Sequence, residues 1–195
     1  MILPISYYGD PILRTKTELI TTFDKELKSL VKNMIETMHA EDGAGLAAPQ
    51  VGEARRIFVI DPDFNRRNAD FHCTIDGKIV PPKLIFPFVA INAEIEELRE
   101  PNVVYNEGCL SFRYVRFDIE RPHFLRMKYQ DIDGNPHVVE TDGSFARIIL
   151  HEYDHVEGIL FIDRVDRQTL KRSESKLKRL KRETRDMLKK KNHNT

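Results

Sequence analysis

The sequence predicts an α+β fold, a single domain over residues 1–195 in which antiparallel or mixed β-sheets pack around a central helix. Three observations carry that prediction. Extended segments follow one another through short turns rather than through crossover helices. Apolar residues recur at helical spacing near the start of the chain and again near its end. Finally, 41% of the 195 residues are hydrophobic, enough for one substantial core.

Taken in order, Leu27, Leu30, Val31, Met34, Ile35 and Met38 set a helix over residues 24–40. The small-residue run Gly43-Ala44-Gly45-Leu46-Ala47-Ala48-Pro49-Gln50 follows it and precedes a strand at 56–60. Its glycines stand two apart, but a dinucleotide fingerprint needs strand before helix, and no phosphate-loop lysine follows. Small residues here instead let the backbone approach another chain or a ligand closely. Residues 61–82, with Asn, Asp, Gly and paired prolines, read as an irregular excursion with limited strand character. Strands are expected at 84–91, 124–130 and 137–141, an extended run at 102–105, and a hairpin turn at Asp133-Gly134. No internal repeat is visible.

The central helix carries His151-Glu152-Tyr153-Asp154-His155. Positions four apart lie one above the other on a helix, so both imidazoles can reach one ion. Glu152 leaves at a different angle and addresses a water on that ion rather than the ion itself. A metal with three protein ligands and an open position makes such a water acidic, and a glutamate beside it can move the proton to a leaving group. The flanks Phe145, Ala146, Ile148, Ile149 and Leu150 are apolar, and Gly158 stands where a C-terminal cap belongs. The segment is too short to cross a bilayer and reads as a core helix with polar groups that need partners.

A third ligand must come from elsewhere. Cys109, in the polar interruption Glu107-Gly108-Cys109-Leu110-Ser111, completes a set of one sulfur and two nitrogens suited to zinc or ferrous iron. Cys73 falls in an expected loop and is read as an ordinary small side chain. Gln50 can offer an amide N–H to a carbonyl oxygen. Asp154 and Glu107 are candidates to orient a ligand imidazole or to anchor nearby chain.

Together these three segments resemble the peptide deformylases, which carry a glycine-rich segment ending in Ala-Ala-Pro-Gln, then Glu-Gly-Cys-Leu-Ser, then His-Glu-x-Asp-His. The likeness extends to Pro4, Tyr8-Gly9-Asp10-Pro11, Leu13-Arg14 and Arg121-Pro122. The resemblance implies a deformylase-like fold and removal of the formyl group from the initiator methionine of new polypeptides. It makes Cys109, His151 and His155 ligands of one divalent metal ion, with ferrous iron (Fe2+) the expected physiological metal and Zn2+, Ni2+ or Co2+ able to replace it. It assigns acid–base work to Glu152, and to Gln50 and the backbone N–H of Leu110 the donors facing the formyl oxygen. Gly45 is placed along the substrate backbone, Ile148 in the pocket for the methionine side chain, and Arg116 near the peptide. The chain departs from the family where Phe112-Arg113-Tyr114 replaces an apolar residue followed by Pro-Gly, and where Leu150 replaces a usual glutamine. Ser144 and Arg147 sit on the turns before the ligands.

The remaining composition narrows the setting. Lys and Arg number 31 against 31 acids, so global charge predicts neither a nucleic-acid nor a membrane partner. The amino terminus has no basic stretch followed by a long apolar one, and the two cysteines lie far apart. A reducing, cytoplasmic location and a monomer are expected. Residues 166–195 are strongly basic around an apolar stripe of Leu170, Leu177, Leu180, Thr184 and Met187 or Leu188. That pattern predicts a docked helix with a solvated basic face, which could meet ribosomal RNA. Two other readings stay open. A zinc metallopeptidase shares the two-histidine, one-glutamate pattern but usually draws its third ligand from downstream as a carboxylate or histidine. A noncatalytic RNA-binding protein would use the tail and leave the pentad unexplained.

Overall fold

The computed structural model describes residues 1–62 and 71–193, with backbone alone for 191–193. Part of the expected 61–82 excursion therefore lies outside the described residues. Helix α1 (Lys25–Ala40) begins where Asp24 accepts the Leu27 N–H through its side chain at 2.9 Å, a cap worth about 1 kcal/mol. Its buried residues Leu27, Val31, Met34 and Met38 follow the expected helical period.

Among the described residues seven strands form one sheet, and every ladder is antiparallel. The strands are β1 (Gly45–Ala47), β2 (Ile57–Ile60), β3 (Cys73–Ile75), β4 (Lys78–Ile79), β5 (Phe88–Cys109), β6 (Phe112–Gln130) and β7 (Pro136–Asp142), in the order β1-β2-β5-β6-β7-β3-β4. The expected strand at 84–91 begins only at Phe88: Leu84 ends a short 3-10 helix, and Pro87 has no N–H to give a ladder. From there β5 runs without a break through the expected 102–105 segment to Cys109, kinked by bulges against β6. Cys73 is not in a loop. It lies buried in β3, where burial pushes its thiol up to about 12. The β3–β4 hairpin turns at Asp76-Gly77, both with positive φ, as a tight two-residue turn demands. The Asp133-Gly134 turn joins β6 to β7 as expected, with Gly134 at φ 86°.

The sheet is covered on both faces, which explains the unbroken apolar run in β2. Ile57 and Val59 pack with Leu27, Val31, Met34 and Met38 of α1, while Phe58 and Ile60 face the opposite cluster. That second cluster receives Phe145, Ala146, Ile149 and Leu150 from helix α2 (Gly143–Val156). The helix ends in a glycine cap: Gly158, at φ 72°, donates to the His155 carbonyl and Ile159 donates to that of Asp154. A third cluster joins Leu13, Phe112, Phe117, Phe161 and Leu177 at the turn end of the β5–β6 arm. Instead of one docked tail helix there are two, α3 (Arg167–Arg172) and α4 (Glu174–His193), broken at Ser173. Leu177 and Thr184 of α4 are buried; of the two residues expected to end the stripe, Met187 is exposed and Leu188 is half-buried. No helix among the described residues is long and apolar enough to cross a membrane.

Candidate active site

Helix α2 brings the pentad against the tip of the β5–β6 arm. Cys109 is the last residue of β5 and pairs with Phe112 across the turn formed by Leu110 and Ser111, so its side chain stands at the end of a fixed ladder. The Sγ of Cys109 lies 3.2 Å from Nε2 of His155, and one donor atom from each of Cys109, His151 and His155 falls within 4.8 Å of the others. The rings of His151 and His155 stand 5.3 Å apart, centroid to centroid. A thiol and two imidazoles at this separation match the donor types and reach of a tetrahedral zinc or iron centre. The residues fit a divalent ion.

The imidazole of His151 is oriented by Glu107, whose Oε2 lies 2.9 Å from Nδ1, leaving Nε2 to the cluster. Glu107 is itself fixed by Arg121, whose Nε and Nη2 donate to its two oxygens at 2.7 and 3.0 Å. These ion contacts, with the bond to His151, hold the Glu107 carboxyl well below the usual range despite its burial. Asp154 does not orient an imidazole. It accepts from Arg121 at 2.7 Å and from the Nε of Arg164 at 2.6 Å, locking α2 to the arm and to the segment after the helix. Arg121, only 2% exposed, is the hub that residue-by-residue reading missed. Its place within Arg121-Pro122 was noticed, but its partners depend on the register of a long hairpin.

Glu152 is different in kind. It is buried, its Oε2 has no hydrogen-bond partner among the described residues, and burial raises its pKa to about 7 against the opposing charges of His151 and Arg121. A carboxyl poised near neutrality can both accept and return a proton. Burial lowers the His151 pKa, but the Cys109 thiol and Glu107 carboxylate outweigh it and raise it to about 10. His155, buried beside the charges of His151 and Arg121, is pushed far below its ordinary value.

The small-residue run meets this glutamate. A Cβ on Gly45 would sit 2.5 Å from Oε1 of Glu152, so the close approach expected of the run is made to the site's own carboxylate. The run forms β1 and then a 3-10 helix (Ala48–Val51) that carries Gln50 inward, 1% exposed. The Oε1 of Gln50 accepts the Ala47 N–H at 2.8 Å. Its Nε2 is thereby turned toward Ser111 Oγ at 3.3 Å and Cys109 Sγ at 3.5 Å.

Of the remaining expected residues, Leu110 lies in the turn beside Cys109, and its side chain packs against the α1 cluster. Ile148 packs, half-buried, on the α2 cluster. Arg116 is exposed on β6 opposite Gly108, with Nε bonded to Asn106 Oδ1 at 2.7 Å. The departing segment Phe112-Arg113-Tyr114 opens β6 and is held by neighbouring residues. Phe112 stacks on Tyr8, Arg113 reaches the Tyr7 hydroxyl, and Lys176 of α4 donates to the Tyr114 carbonyl. Tyr114 itself is left-handed at φ 60°, uncommon for a residue other than glycine.

Comparison with known proteins gives a consistent result. The family model described as polypeptide deformylase matches residues 2–171. A peptide deformylase of Opitutus terrae is 44% identical over 186 residues, covering 95% of this chain and 96% of the relative. A plant peptide deformylase structure superposes with a TM-score of 0.80 at 34% identity, covering 95% of this chain and 92% of that one. A peptide deformylase of Synechococcus elongatus, solved in complex with actinonin, gives a TM-score of 0.75 at 35% identity, covering 89% and 87%.

Proposed function

The chain belongs to the polypeptide deformylase family, and from that premise we propose that Cys109, His151 and His155 hold its metal ion while Glu152 moves the proton. The enzyme is a metal-dependent hydrolase that removes the N-formyl group from nascent polypeptides. Ferrous iron is the proposed physiological metal, with zinc, nickel and cobalt suited to the same donors. When bound, the ion would supply Lewis acidity and would lower the pKa of a water beside it.

The protein's own groups account for the rest of the reaction. The substrate peptide runs past the Gly45 backbone, with Ile148 beside the methionine side chain and Arg116 farther along the chain. Gln50 Nε2 and the Leu110 N–H point at the formyl oxygen, where negative charge grows as the carbonyl carbon becomes tetrahedral. Glu152 accepts a proton at its unpartnered Oε2 as water adds, then delivers it to the departing amine. The products are formate and a free amino terminus. The observation that carries this reading is the unpaired, near-neutral Glu152 carboxyl beside a cysteine–histidine–histidine cluster. A metallopeptidase of the His-Glu-x-x-His type does not fit, because the third member of the cluster is the upstream Cys109.

We read residues 1–195 as one monomeric, cytoplasmic catalytic domain, with the basic helix and tail at 166–195 available for ribosome contact. The deciding experiment is anaerobic purification with metal analysis, followed by formate release from a formyl-methionyl peptide. One metal per chain and formate without peptide shortening are expected. Glu152→Ala should keep the metal and lose about 10²- to 10⁴-fold in turnover; full activity in that variant would remove Glu152 from the mechanism.

A further inference from the structure

Arg147 lies one turn before His151 on α2, so the two side chains leave the same face of the helix. Its guanidinium is nearly buried, the side chain being 13% exposed, and it spans three acceptors. Nη1 donates to Glu107 Oε1 at 2.7 Å and to the Ile119 carbonyl at 3.1 Å, while Nη2 donates to the Val103 carbonyl. Tyr105 lies beneath it, with the ring centroid 5.7 Å from the guanidinium carbon.

The consequence appears at Glu107. Each oxygen of that carboxylate receives two bonds: Oε1 from Arg121 Nε and Arg147 Nη1, Oε2 from Arg121 Nη2 and His151 Nδ1. Val103 belongs to β5 and Ile119 to β6, so the same guanidinium fastens both strands of the arm to the helix that carries His151. Removing it leaves Glu107 Oε1 with one donor and unties the arm from the first turns of α2. A carboxylate that orients an imidazole acts only as well as it is itself held.

We propose that Arg147 is a positioning residue, acting through Glu107 to fix the ring of His151 for metal binding. The inference rests on the reading of His151 as a metal ligand. Lysine is not equivalent, since an ammonium cannot reproduce a planar fork that meets a carboxylate and two carbonyls together.

The test is a cobalt(II) titration followed by visible absorption, on the full chain stripped of metal, beside steady-state kcat and KM on a formyl-methionyl peptide. R147M, which keeps much of the side-chain length, is expected to bind cobalt about 10-fold or more weakly. Its absorption bands should shift, kcat should fall, and KM should stay within about twofold. R147K, which retains the charge and protects the fold should R147M fail to form, is expected to fall between R147M and wild type. In an E107Q background R147M should add little further loss, as two residues acting through one contact do.

R147M and R147K binding cobalt with wild-type affinity and spectrum would overturn the inference. So would a raised KM with unchanged kcat and cobalt affinity, because Arg147 would then touch the substrate instead. Wild-type chain that takes up no cobalt would overturn the metal-ligand reading and this inference together, which separates that failure from the other two.

Discussion

Helices α2 and α4 are both rich in polar residues, yet they do opposite things with them. In α2, Glu152, Asp154 and His155 are buried; Arg121 and Arg164 hold Asp154, while Glu152 Oε2 and His155 Nδ1 have no hydrogen-bond partner among the described residues. In α4 the charges are exposed: Lys178 pairs with Glu174 at side-chain exposures of 73% and 57%, and Arg179 with Glu183 at 71% and 49%. Such pairs contribute little stability, because solvent screens them and long side chains lose entropy to meet. Burial converts charge into geometry; exposure leaves it as a field that reaches outward. The first suits chemistry, the second encounter with an anionic partner.

The sharpest way to break this contrast is at its buried hub. Arg121→Met would leave Glu107 and Asp154 buried with a donor missing from each, and should cost about 3–5 kcal/mol in chemical denaturation. A loss below about 1 kcal/mol would mean that Arg147 and Arg164 suffice, and that the hub is not one. Gly45→Ala comes next. Its methyl group would meet the Glu152 carboxylate, so overpacking of about 1–3 kcal/mol is expected. Turnover should suffer more than stability, by roughly 10²-fold with metal retained, since a displacement of about 1 Å at the reacting groups has that effect. Equal effects on both would place Glu152 outside the chemistry. The smallest change belongs to α4. Lys178→Glu with Arg182→Glu should alter stability by no more than about 0.5 kcal/mol and leave peptide deformylation intact. Co-sedimentation with ribosomes should nonetheless weaken, and the wild-type interaction should fade as salt rises. Unchanged, salt-insensitive sedimentation would remove the tail from that role.

How far the sequence reaches follows the same division between local and long-range order. The histidine spacing, the glycine cap at Gly158 and the helical period of α1 depend on neighbours within a turn or two, and all were legible. Glu107 was correctly suspected of orienting an imidazole. Asp154 takes the other expected role, anchoring nearby chain, because its direction on α2 carries it toward Arg121 and Arg164. The length of β5 was not readable. Residues 96–106 are exposed on both faces of the arm, so no alternation of apolar and polar residues marks them as strand. The partners of Arg121 and Arg147 were invisible for a related reason: they come from the other strand of that arm and from another element, and only the register of β5 on β6 brings them together. The break at Ser173 was missed because the basic run continues across it without a proline or glycine to announce a stop.

Gln50 gives the site a property that does not depend on anything being bound. The Ala47 N–H can donate only to the oxygen end of that amide, so the nitrogen end is presented inward by the turn's own backbone. The donor's polarity is thus preorganised at folding, so that in the proposed reaction a formyl group would meet it already facing the right way, with no reorientation to be made during turnover.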